Sequence, residues 1–113
     1  MSRPVIHEGE MFQLLRSENI EEFNKRKAAG EIPNLVMANL RGIDLRGLDA
    51  DGLNMQDCYF RNSDLRGIDF RNANIEGASI CQAKISGCYF PRELSPDEVR
   101  MSLEIGTRMR YQQ

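Results

Sequence analysis

Histidine occurs once in the 113 residues, as His7, and none of the three cysteines sits in a CxxC pair. A single histidine near the N-terminus, with no triad or metal spacing around it, reads as a bystander. Cys58, Cys81 and Cys88 are odd in number, so neither a disulfide framework nor a zinc site is expected. They read as small apolar side chains in a reducing compartment. An excess of one charge is lacking too. Fifteen Lys and Arg against seventeen Asp and Glu give a formal charge of -2, neither the basic surplus of a nucleic-acid binder nor the acidic surplus of a solvating tail. No apolar run reaches the ~18 residues of a membrane helix, and residues 1–10 lack the apolar centre of a signal peptide. A soluble, cytoplasmic, single-domain protein is expected, with a core so small that stability depends on how its ends are covered.

What the chain has instead is a repeat. From Ala38 to Arg92 it reads ANLRG IDLRG LDADG LNMQD CYFRN SDLRG IDFRN ANIEG ASICQ AKISG CYFPR, eleven five-residue units without insertion or deletion. The central positions Leu40, Leu45, Ala50, Met55, Phe60, Leu65, Phe70, Ile75, Ile80, Ile85 and Phe90 are all apolar. Two residues before each centre only Ser63 is polar, and the positions flanking the centres hold no aliphatic residue. This alternation has the period of a strand, yet five is odd, so an uninterrupted strand would swap faces at every unit. The fifth position absorbs the mismatch, being Gly or Asn in eight of the eleven units, residues that turn a chain at low steric cost. Each unit is therefore a short extended side followed by a corner, and repeated corners of one hand coil the chain into a solenoid.

The units ANLRG, SDLRG and ANIEG resemble the A(D/N)LXX signature of the pentapeptide-repeat family, a bacterial type of repeat protein. The resemblance covers residues 38–92 and implies an all-β solenoid, a right-handed quadrilateral (four-sided) parallel β-helix of about three coils in which four units make one coil. Residues twenty apart would then stack. Departures from the signature are an undersized Ala50, oversized Ile43, Leu48 and Leu53, and Tyr59, Ser79, Lys84 and Tyr89 in place of Asp or Asn before the centre. The bulk of Leu48 and Leu53 offsets the volume missing at Ala50. Ser63 is expected to satisfy its hydroxyl on nearby backbone.

Short α-helices are expected to cap both ends. Residues 9–32 form an N-terminal helical cap of two helices, with Met11, Leu14 and Leu15 on one face, a break near Ser17, then Ile20 and Phe23. Asn19 and Glu22 make a capping box, and Gly30 is the stop before Pro33. The repeat region spans 33–92, with Asn34 and Leu35 as a ragged first unit. Residues 94–106 carry Ser95 as N-cap, Pro96 at N1, Glu98 at N3, a Leu94–Val99 staple and a stop at Gly106, a helix that lids the last coil. Residues 107–113 read as a tail, or alternatively a dimer contact.

The resemblance and the residue inventory together point to a non-catalytic protein-interaction or scaffold module with no cofactor, no metal and no catalytic residue. An unidentified protein partner is expected, with homodimerisation as an option, and no membrane or direct nucleic-acid contact. The candidate surface is a four-arginine patch on two adjacent sides, Arg41 beneath Arg61 and Arg46 beneath Arg66, together with Tyr59 and Tyr89 as exposed aromatic anchors on opposite sides. The arginines form either a ladder of surface salt bridges with Asp44 and Asp64, worth ~0 to 1 kcal/mol each, or a site for an anionic partner. Cys81 is the one cysteine at an outward position. The family also implies an alternative, a DNA mimic that regulates DNA gyrase. Against it, a barrel ~13 Å tall would need roughly eight net negative charges, whereas the acids and bases of the repeat cancel.

Overall fold

The computed structural model describes residues 9–112, so His7 lies outside the described residues. Three helices frame the repeat: α1 (Glu10–Arg16), α2 (Ile20–Ala28) and α3 (Pro96–Ile105). Asn19 caps α2 by accepting the Glu22 N–H at 3.4 Å, and Ser95 caps α3 by accepting the Glu98 N–H at 3.2 Å. Pro96 opens α3 where no N–H is needed, and Gly106 ends it in the left-handed region at φ 77°. Between α1 and α2 the chain reverses at Glu18, whose φ is 62°.

Between the helices the chain turns every five residues. The N–H of most new units bonds back to the preceding centre, as in Leu48 to the Leu45 carbonyl at 3.1 Å, with Ile43 bonding to Ser63 instead, and the residue before it takes a positive φ everywhere except at Asn72. Gly47 does so at 86° without a Cβ penalty, whereas Asp57, Asn62 and Gln82 reach 56–60° with side chains. Met37 repeats that geometry at 59° after a buried Leu35, so residues 33–37 are a further unit.

Residues twenty apart pair in parallel. Leu40 N–H donates to the Tyr59 carbonyl at 2.9 Å and Tyr59 N–H to the Ala38 carbonyl at 3.0 Å, and the same exchange ties Asp44 to Asp64 and Asp64 to Lys84. The repeat is thus a β-helix-type solenoid with a twenty-residue turn. Among the described residues it contains isolated bridges and no continuous strand, which amends the all-β expectation. The reason is the corner: it interrupts pairing every five residues, so only one residue of each side is bridged on both of its peptide groups. Stacking defines four columns: 38–42, 58–62 and 78–82; then 43–47, 63–67 and 83–87; then 48–52, 68–72 and 88–92; and finally 53–57 with 73–77.

The centres from Leu40 to Ile80 are buried, while Ile85 and Phe90 of the last coil are only partly covered. Phe60, Phe70 and Phe90 form a connected aromatic stack, with ring centres 6.2 and 6.1 Å apart. Ala50 occupies the third column below Phe70 and Phe90, flanked by the buried Leu48 and Leu53. Ser63 donates its hydroxyl to the Leu40 carbonyl and accepts the Ile43 N–H. The thiols of Cys58 and Cys88 make the equivalent bond to Leu35 and Leu65 carbonyls, at 2.8 and 2.9 Å.

Each end of a solenoid leaves ladder groups without a neighbouring coil, and side chains from the flanks fill many of them. At the first coil, Glu18 accepts the Asp44 N–H at 2.7 Å, and Asn24 both accepts from Asp49 N–H and donates to the Gly47 carbonyl. At the last, Ser102 Oγ accepts the Ile80 N–H at 3.0 Å and the Leu103 carbonyl accepts that of Gln82. Residues 107–112 are not a tail. Gly77 N–H donates to the Met109 carbonyl at 2.7 Å, Met109 N–H to Ala78, and the Met109 side chain is fully buried. Tyr111 completes the seam by accepting the Ile75 N–H at 3.0 Å through its hydroxyl. The segment occupies the place above 73–77 where the repeat supplies no further unit. Cys81 is also corrected: it lies at an outward position but is buried, because the end of α3 covers it.

Two substitutions probe this packing. Ala50→Leu is expected to destabilise by about 1–3 kcal/mol through overpacking of the third column, read as a lowered melting temperature. Met109→Ala is expected to cost about 2–5 kcal/mol in a denaturant titration, whereas a true tail residue would change little.

Candidate anion-binding groove

The columns segregate charges that cancel along the sequence. In the second column, IDLRG and SDLRG place an aspartate and an arginine on either side of an inward leucine, so both point outward. Arg46 meets Asp44 at 2.7 Å, Arg66 meets Asp64 at 2.6 Å, and Arg46 reaches across the coil to Asp64 at 3.4 Å. Each aspartate also accepts the N–H of its arginine, so one carboxylate serves both the turn and the ion pair. Arg66 hydrogen bonding holds the Asp64 carboxyl down at about 2, and Arg46 lowers that of Asp44. Arg46 and Arg66 are therefore the ladder of surface salt bridges.

The first column differs at one position. Its units are ANLRG, CYFRN and ASICQ, which contain Arg41 and Arg61 and no carboxylate. Asn39 takes the place of the aspartate beside Arg41, accepting from its N–H at 3.2 Å and its Nε at 2.9 Å, but brings no charge. Tyr59 takes that place beside Arg61, whose guanidinium instead approaches the Cys81 sulfur at 3.6 Å. Among the described residues neither Arg41 nor Arg61 forms an ion pair, and both are exposed. Arg16 of α1 adds a cation at the base by donating to the Arg41 carbonyl at 2.7 Å.

The segment after α3 closes the other wall. Arg108 pairs with Asp57 at 3.2 Å, donates to the Tyr59 hydroxyl at 2.9 Å and lies 5.6 Å from the centre of that ring. Gly77 makes room for this arrangement, since a Cβ there would fall on the Asp57 carboxylate. Arg41, Arg61 and Arg108 thus converge on a groove of about 390 Å³ that Tyr59, Ser79, Cys81 and Ile105 also line. Arg108 and Ile105 were not legible as site residues, because nothing in the local sequence says that residues 105–108 fold back over the first column.

Residues 54–90 match the family model for pentapeptide repeats, with eight copies. Residues 54–90 are pentapeptide repeats. No curated protein and no solved structure matches the chain. The matched stretch begins just after Leu53, past the units whose large Ile43, Leu48 and Leu53 depart from the signature, although the twenty-residue ladder of these pentapeptide repeats extends back through them.

Of the residues singled out in the sequence, Arg41, Arg61 and Tyr59 come together in the groove. Arg46 and Arg66 lie in the next column with their aspartates. Tyr59 is half-buried under Arg108 and is not an exposed anchor. Tyr89 stands apart in the third column, 56% exposed, with the Arg71 guanidinium 4.5 Å from its ring centre. The described residues contain no cluster of His, Cys, Asp and Glu able to hold a metal ion, and no helix long and apolar enough to cross a membrane.

The depressed pKa of Asp64 gives a signed pH dependence. Its contribution to stability is full above the ordinary carboxylate value of about 4 and is lost as pH falls through the folded value. Asp64→Asn should therefore flatten that part of the acid limb when melting temperature is followed from pH 7 to pH 2, with the limb unchanged if the pairs are inert.

Proposed function

We propose that this chain is a non-catalytic interaction module that offers its first column to an anionic surface of a protein partner. In this reading the solenoid is a right-handed, four-sided parallel β-helix of about three coils, with α1 and α2 over one end and α3 over part of the other. The observation that carries it is the contrast between neighbouring columns. Arg46 and Arg66 have built-in carboxylates, while Arg41 and Arg61 have none and border a groove. A counter-charge from outside supplies what Asn39 and Tyr59 omit.

A binding role is also favoured over catalysis by the neighbours of the groove's two nucleophilic side chains. Cys81 faces a guanidinium and the Ser79 hydroxyl is directed to the Gly106 carbonyl at 3.5 Å, so neither has a general base beside it. The DNA-mimic alternative finds less support. The acids it would present are largely engaged: Asp44 and Asp64 by Arg46 and Arg66 in the second column, and Asp49, Asp57 and Asp69 by Lys27, Arg108 and Arg71 in the third and fourth.

The test uses a fluorescent polyglutamate peptide as an acidic-surface probe. Binding should weaken with salt and fall by about tenfold or more in the Arg41→Gln, Arg61→Gln double variant, measured by fluorescence anisotropy. Affinity unchanged in the double variant would discard the groove. Inhibition of gyrase supercoiling by both proteins would favour the DNA-mimic alternative.

A further inference from the structure

The anion that fits this groove can be narrowed by geometry, taking the anion-site reading above as its basis. We propose that the groove takes a phosphate monoester, its phosphoryl group held between Arg41 and Arg61 and its organic part lying along Tyr59 and Ile105.

The ladder sets the spacing. Residues twenty apart sit one strand separation apart, ~4.8 Å, so the backbones of Arg41 and Arg61 lie at the same point of successive coils and their charges border one groove. Like charges so placed repel, and in the second column the repulsion is offset by Asp64 lying between Arg46 and Arg66. An occupant of the first column has to do for two guanidiniums what Asp44 and Asp64 together do next door. A lone carboxylate can touch two guanidiniums, as Asp64 does, but it brings only one of the two charges that Asp44 and Asp64 together supply next door. A phosphate monoester carries about -1.5 to -2 charges and three acceptor oxygens, enough to meet both forks at once.

The rest of the groove suits a small organic group. Its volume of about 390 Å³ lies within the range of small-molecule sites, which is roughly 300–1,000 Å³. Beyond the arginines and the Ser79 hydroxyl, the Tyr59 ring, Cys81 and Ile105, the last 70% exposed, give the groove apolar surface. Arg108 acts on the site through Tyr59, fixing the ring by its bonds to the hydroxyl and to Asp57. No acidic side chain lines this volume to repel the ligand.

The experiment is a calorimetric and NMR titration of the full chain with phenyl phosphate, inorganic phosphate, phenylacetate and a short phosphotyrosine peptide. Phenyl phosphate should bind about tenfold or more tightly than either inorganic phosphate or phenylacetate. Arg41→Gln and Arg61→Gln should each lose about tenfold or more of that affinity at an unchanged melting temperature, while Arg71→Gln, in the third column, keeps it. Tighter binding of the phosphotyrosine peptide than of phenyl phosphate would assign the ligand to a modified protein, and equal or weaker binding to a small phosphorylated molecule. Phenylacetate as tight as phenyl phosphate, or affinity indifferent to Arg61, would overturn the proposal. If polyglutamate binds through Arg61 and phenyl phosphate does not, the phosphate assignment falls and the anion reading stands; if neither binds through Arg61, both fall.

Discussion

The exchange of backbone hydrogen bonds between residues twenty apart is the constraint on which everything else in this molecule depends. Leu40, Tyr59 and Ala38 show its form, and the bonds recur from coil to coil at 2.8–3.0 Å. Because each corner falls on every fifth residue, the ladder advances by whole coils and each side chain is held above its counterpart twenty positions earlier. Inward positions therefore form columns of packed apolar groups, and outward positions form columns of charges. A change in one unit is felt by the units above and below it more than by its neighbours in the chain.

A ladder this short has two ends that are large relative to its middle. The first coil is met by polar side chains of α1, α2 and their junction, Arg16, Glu18 and Asn24, each bonded to a backbone group of that coil. The last coil is met by Ser102 and Leu103 of α3 over the first column and by Met109 and Tyr111 over the fourth. The second and third columns receive less. Ile85 and Phe90 remain partly uncovered there and, with Leu94, Val99 and Leu103, line an apolar groove of about 370 Å³.

The same stacking turns a neutral sequence into a polarised surface. Asp57 and Glu76 share a column with no cation, Arg41 and Arg61 share one with no carboxylate, and the columns between them hold mixed charge. Arg108 bridges the extremes by pairing with Asp57 while bordering the basic groove. Net charge is a poor guide to any one side of the molecule, because stacking samples the sequence every twenty residues and the sum does not.

The periodicity of five was legible in the sequence, and with it the identity of the inward residues, the corners, the caps at Asn19 and Ser95 and the stop at Gly106. All of these follow from local chemistry: side-chain polarity alternates within a unit, and turn and cap residues act on backbone groups a few positions away. What lay beyond the sequence was whatever depends on residues far apart meeting. Residues 107–112 have no repeat and no helical pattern, so only the vacant place above 73–77 explains why Met109 is buried. Cys81 is outward by register yet covered by α3, and Tyr59 is outward yet held by Arg108. The arginines were visible one by one. That Arg46 and Arg66 have an aspartate two residues before them, while Arg41 and Arg61 have Asn39 and Tyr59, stands in the units themselves; that the two without a carboxylate stack in one column and border a groove was decided by the twenty-residue turn and by the folded-back C-terminal segment.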